Sequence, residues 1–132
     1  MSLVPERSRT LDELDPPTWG EPTFDSHLVK TCHALRRKPL REFSIEDLRI
    51  MIGQGIGLRW LIPLALEALE AEPLAEGDFY PGDLLAAVLG VGPDLWSSEP
   101  VWRSRTVAVL DRLPEVPKEL NDAVAVFRRT AA

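Results

Sequence analysis

GQGIGLRWLIPLALEALEAEPLAEGDFYPGD, Gly53 to Asp83, runs a glycine triplet into an apolar helix and then into a loop dense in acids, glycine and aromatics. At 100° per residue, only Arg59, Pro63, Glu67 and Glu70 share a narrow polar strip on segment 57–71. A helix that is apolar around most of its circumference belongs at the centre of a domain. Pro63 falls inside it, which predicts either a kink or a helix that begins near Ile62.

The flanks carry helix signals too. Ser44 with Asp47 three residues on forms a capping box, Asp being a weaker substitute for Glu or Gln. Ile45, Leu48, Met51 and Ile52 line the apolar side of that helix, and Gly53 is its expected stop. Upstream, a helix is expected over 25–37, with Asp25 as N-cap and Leu28, Cys32 and Leu35 on one stripe. Arg36, Arg37 and Lys38 stand at its C-terminal end, where cations meet the negative end of the helix dipole, and Pro39 ends it. Thr10 to Leu14 reads as one turn capped by Thr10 and Glu13. It lies within a polar, proline-rich segment 1–23, expected as a tail packed on the surface or frayed, with the domain proper at 24–132.

Further helices are expected at 82–90, 93–98, 100–113 and 117–129. The third of these carries Trp102, Thr106, Val109, Leu110 and Leu113 on one face, and the last carries Leu120, Val124 and Phe127. Pro81, Pro93, Pro100 and Pro117 stand where these runs begin, and proline is tolerated at a first helical position. No segment gives a persuasive two-residue alternation. The expected fold is all-α, a single compact domain of six or seven short helices around a central apolar helix at about 57–71.

At 132 residues and 45% apolar composition, the chain is one globular domain able to bury a core. No apolar run approaches the roughly 18 residues of a membrane helix. MSLVPERSRT lacks the apolar block of a signal peptide, so cytoplasmic residence is the expectation. One cysteine, Cys32, excludes an internal disulfide. A net charge of −6 argues against direct nucleic-acid binding and favours capture of a basic partner.

Gly53, Gly55 and Gly57 before a helix invite comparison with a dinucleotide-binding loop. That loop needs a preceding strand and G-x-G-x-x-G spacing, whereas this chain has G-x-G-x-G after a capped helix. The three glycines are therefore assigned to a corner between two closely approaching helices. His27, Cys32 and His33 have neither same-face helical spacing nor the further ligands of a zinc site, so no metal, cofactor or catalytic residue is expected. Glu67, Glu70, Glu72, Glu76, Asp78 and Asp83 form the dense acidic block, but EGDFYPGD does not keep the spacing of a calcium loop. Glu67 and Glu70 fit a solvated strip, and Asp78 or Asp83 fits a cap on the following helix. Phe79 and Tyr80 among these acids tilt the loop towards a binding surface, since aromatic anchors ringed by charge are common interface anatomy. Trp19, Trp60, Trp96 and Trp102 are assigned to the core or to anchoring loops.

The run from Phe43 to Leu89 resembles the central block of immunity proteins of bacterial contact-dependent growth inhibition systems. The resemblance rests on DLRIMIGQGIGL at 47–58, IPLALEALEAEPLAEGDFYPGDLL at 62–85, Trp96, KPLREF at 38–43 and WGEP at 19–22. It covers about residues 19–110 and omits the last helix. It implies a small cytoplasmic non-enzyme that binds the toxic C-terminal domain of a delivered effector, often a nuclease and commonly basic, and occludes its active site. Partner contacts are then expected at Glu76, Asp78, Tyr80 and Asp83, with Glu67 and Glu70 second. Changing Asp78 and Asp83 jointly to lysine is expected to slow association with the fold intact, whereas unfolding would mark the carboxylates as caps. The competing reading is a small ligand-binding or enzymatic domain that uses the Gly53–Gly57 corner and the acidic loop 76–83 as a pocket. A general adaptor module is the third.

Overall fold

Local capping sets where the helices start in the computed structural model, which describes residues 7–17, 19 and 26–130. Thr10 and Glu13 form a complete capping box on α1, Leu11–Leu14. Ser26 accepts the Val29 N–H to open α2, His27–Leu35. The Asp25 cap expected from the sequence lies outside the described residues. Ser44 and Asp47 close the second capping box, on α3, Ile45–Gly53. Next come α4, Leu58–Ala71, and α5, Asp83–Leu89. Pro93 and Pro100 stand at the starts of α6, Pro93–Ser98, and α7, Pro100–Asp111, where a missing N–H costs nothing. Pro117 instead precedes a 3-10 turn, Lys118–Leu120, which leads into α8, Asn121–Arg129. Pro81 is likewise not helical, because Gly82 occupies the cap of α5. Among the described residues there is no strand, only one isolated bridge between Glu76 and Pro81. The fold is all-α.

α4 is the central helix. Leu61, Ile62, Pro63, Leu64, Ala65, Leu66 and Leu69 are all buried, and the helix contacts α3, α5 and α7. α3 packs most extensively on α5, α2 lies on α3, and α8 lies on α5. Each fully buried Leu or Ile stabilises the fold by about 1.5–3 kcal/mol, so this cluster dominates stability. Pro63 neither splits the helix nor belongs to its polar strip: α4 runs unbroken from Leu58 to Ala71, and Pro63 is inside the core. The carbonyl left without a helix N–H is that of Arg59, on the exposed side. At the far end Trp96 meets Phe127 edge to face at 5.3 Å between ring centroids.

The described part of segment 1–23 contributes to this core. Leu11 is fully buried, and the backbone is tied by Asp12 N–H to Arg36 C=O at 2.9 Å and Leu40 N–H to Arg9 C=O at 2.9 Å. Arg36, expected at an exposed helix end, is 1% exposed. Its Nε donates to Asp12 at 2.9 Å, and its Nη2 donates to the Asp15 carbonyl at 2.6 Å. Trp19 stacks under the guanidinium at 4.7 Å.

The corner between α3 and α4 has a specific geometry. Gly55 takes φ +71°, its N–H bonds Ile52 C=O at 2.9 Å, and Ile56 N–H bonds Met51 C=O at 2.9 Å. This is a Schellman stop. Gly53 is the last helical residue, and a Cβ there would meet nothing within 4 Å. Gly57 takes φ +66°, and a Cβ there would come within 2.9 Å of the Leu11 side chain. Gly57→Ala is therefore expected to destabilise by about 1–3 kcal/mol through left-handed strain alone, with more from displacing Leu11. Gly53→Ala is expected to be neutral or mildly stabilising, since alanine is the better helix former. Urea midpoints of the two variants check the contrast.

Candidate functional site

The loop after α4 is knitted to the helices by two carboxylates. Asp83, the first residue of α5, is 3% exposed. Its Oδ1 accepts the Gly77 N–H at 2.6 Å, and its Oδ2 accepts the Phe79 N–H at 3.0 Å. Between them, the Asp78 N–H donates to Glu46 Oε1 at 2.9 Å. Three successive backbone donors are thus held by side chains of α3 and α5, so the loop needs no sheet partner. Asp83 does not cap its own helix, as the sequence allowed, but fixes the turn before it. A Cβ at Gly77 would stand 2.5 Å from Glu46 Oε1 and 3.0 Å from Asp83 Oδ2, so a side chain there would have to push the two clamping carboxylates aside.

Arg49 completes the clamp from α3. Its Nε donates to Glu46 Oε1 at 2.6 Å, a second bond joins its Nη2 to Glu46 Oε2, and its Nε lies 3.9 Å from Asp83 Oδ2. The guanidinium lies 4.4 Å from the centroid of the Phe79 ring. Hydrogen bonds from Arg49, aided by the Asp78 N–H and the Arg49 charge, hold the Glu46 carboxyl below its ordinary value of 4.5 despite partial burial. The Arg105 guanidinium does the same to Glu70. In both cases the unfolded chain binds more protons than the folded one at mildly acid pH. Their contribution is present above 4.5 and is lost as pH falls through the lower folded values. Glu46→Gln is accordingly expected to flatten the decline of stability with acid, as read from urea unfolding at a series of pH values below 5.

A groove of about 300 Å³ opens beside this clamp. His27, Leu28 and Thr31 of α2 form one wall, Arg49 and Ile50 of α3 the floor, and Asp78 and Phe79 the other wall. Phe79 is 67% exposed and Leu28 43%. Leu28 thus leaves the core stripe expected for α2, because it sits in the first turn of the helix at the lip of the groove; Cys32 and Leu35 stay buried.

The structure sorts the other acidic residues. Asp78 and Glu76 are exposed, and Tyr80 is half-buried against the core. Glu67 on α4 is ion-paired with Arg7, and Glu70 takes two bonds from Arg105 on α7 at 2.9 and 2.7 Å. Both are engaged away from the loop. Sequence reasoning missed Glu46, Arg49 and Leu28 as parts of the site. The Glu46–Arg49 spacing of three on a helix was a legible signal for their pairing. The bond from Asp78 to Glu46, 32 residues apart, was not.

Among the described residues no group of three or more His, Cys, Asp or Glu side chains is arranged to hold a metal. Burial pushes the Cys32 thiol up, which makes it an inert core residue. No helix among those residues is long and apolar enough to cross a membrane.

No curated protein matches this chain. A family model described as CDI immunity proteins, CDI being contact-dependent growth inhibition, matches residues 13–105. That range is well over half of the chain and holds α2 to α6, the clamp and the whole groove. The chain therefore belongs to the family of CDI immunity proteins.

Proposed function

We propose that this chain binds the toxic C-terminal domain of a CDI effector in the cytoplasm and neutralises it without chemistry of its own, by covering the active site. The observation that carries this reading is the family match over 13–105, the stretch that contains the groove and its clamped loop. The surface suits the task. Phe79 and Leu28 offer apolar anchors beside the exposed carboxylates of Glu76 and Asp78. The loop is held by side-chain bonds before any partner arrives, which lowers the ordering cost of binding. A net charge of −6 speeds encounter with a basic domain, of which a nuclease is the expected kind. Contacts are proposed first at Asp78, Glu76 and Tyr80. Asp83 acts through the loop that it holds, and Glu67 and Glu70 lie in the second rank.

The competing pocket at Gly53–Gly57 has little support, since Leu11 packs where a ligand would approach Gly57. Co-expression with the C-terminal domain of the cognate CDI effector tests the reading. Restored growth and a co-purifying complex are expected. Continued growth arrest with both proteins soluble would refute it for that pair.

A further inference from the structure

We infer that the groove between α2 and the 77–79 loop is a receptor for one protonated basic side chain of the partner domain. Its aliphatic stem would lie between Phe79 and Leu28, and its cationic head would lie at Asp78. The inference rests on the proposed toxin-binding role and specifies what the toxin inserts.

Three observations support a cation in particular. The first is the charge balance at the floor. Glu46, Asp78 and Asp83 all act on the single guanidinium of Arg49, so the cluster is two positive charges short of neutrality. Glu46 and Asp83 spend their oxygens on Arg49 and on the loop N–H groups, whereas the Asp78 carboxylate makes no hydrogen bond or ion pair among the described residues. It is the acceptor left over.

The second is the ring. Arg49 lies 4.4 Å from the centroid of the Phe79 ring, yet Phe79 remains 67% exposed, so the ring is open to a second cation. An aromatic face binds a cation through its quadrupole, and the attraction grows when a partner excludes water.

The third is the opposite wall. Leu28, 43% exposed, gives the methylenes of a lysine or arginine an apolar surface, while neutral Thr31 lines the groove beside it. Lysine and arginine carry an apolar stem and a charged head, which is the combination these walls present. An acidic side chain would face the same carboxylates, and a purely apolar one would leave Asp78 desolvated without a partner.

The test uses the full chain and the C-terminal toxin domain of the cognate effector, with Kd measured by calorimetry and unfolding midpoints measured alongside. Asp78→Asn and Phe79→Leu are each expected to raise Kd by about tenfold or more with the midpoint unchanged. The Asp78→Asn complex is also expected to lose part of its salt dependence. Phe79→Leu keeps an apolar surface and removes the ring, so unchanged affinity in that variant would identify an apolar occupant and overturn the inference. Unchanged affinity in Asp78→Asn would overturn it equally. Failure of the wild-type chain to bind or protect would instead refute the toxin-binding role itself, and this inference with it.

Discussion

Replacing Arg36 by methionine is expected to cost about 3–5 kcal/mol and to lower the thermal midpoint by roughly 10 °C or more. Methionine preserves most of the volume, so the loss reports charge and hydrogen bonding rather than a cavity. Arg36 is 1% exposed and joins α2 to the N-terminal segment through Asp12 and the Asp15 carbonyl. Its removal leaves the Asp12 carboxylate, only 12% exposed, without its partner. Breaking a buried pair from one side costs far more than the pair itself contributes. Asp15, at 45% exposure, adds little because water screens it. Removing both members together, Asp12→Leu with Arg36→Met, is expected to recover part of the loss, which a double-mutant cycle measures. A cost below about 1 kcal/mol for Arg36→Met would put the pair in the class of surface salt bridges and defeat the account.

The second large effect is Asp83→Lys, expected to destabilise by about 3–5 kcal/mol. The Gly77 and Phe79 N–H groups lose their acceptors, and a new cation enters a site 3% exposed beside Arg49. Asp78→Lys is expected to stay within about 0.5 kcal/mol of wild type, because that side chain is exposed and only its backbone N–H serves the clamp. The joint change to lysine at both positions therefore does not separate contact from fold, as it was expected to do from sequence. The single changes do. Chemical denaturation of each variant decides the matter, and equal stability of the two would contradict the clamp. Loss of toxin binding in Asp83→Lys would follow from the freed loop, not from a missing contact.

These cases show what was legible. Ser44–Asp47 and Thr10–Glu13 are local signals, complete within four residues, and both boxes form. The central helix was legible because its apolar residues continue around most of the circumference, which only a core can absorb. Leu120, Val124 and Phe127 likewise share one face and are buried together. Pro63 was ambiguous because the pattern does not say whether the carbonyl it frees, that of Arg59, faces water or the core; in the fold it is on the exposed side. Leu28 was misplaced for a related reason: periodicity assigns a face to a helix but not how far along its length the neighbours reach.

Within the site, the sequence picked out EGDFYPGD as the segment of interest and did not separate Asp78 from Asp83. Exposure, unlike charge, is set by neighbours distant along the chain. Glu46 and Arg49 reach residues about thirty positions away, and that contact makes Asp83 an internal brace while Asp78 stays an exposed rim carboxylate. The sequence by itself determined the helices, the Thr10 and Ser44 caps and the apolar centre, because those depend on residues within a turn or two of each other. Tertiary structure alone decided that Arg36 is buried, that the 77–79 loop is clamped, and that Phe79 and Leu28 face each other across a groove. Each of these depends on long-range desolvation and pairing, which local periodicity does not encode.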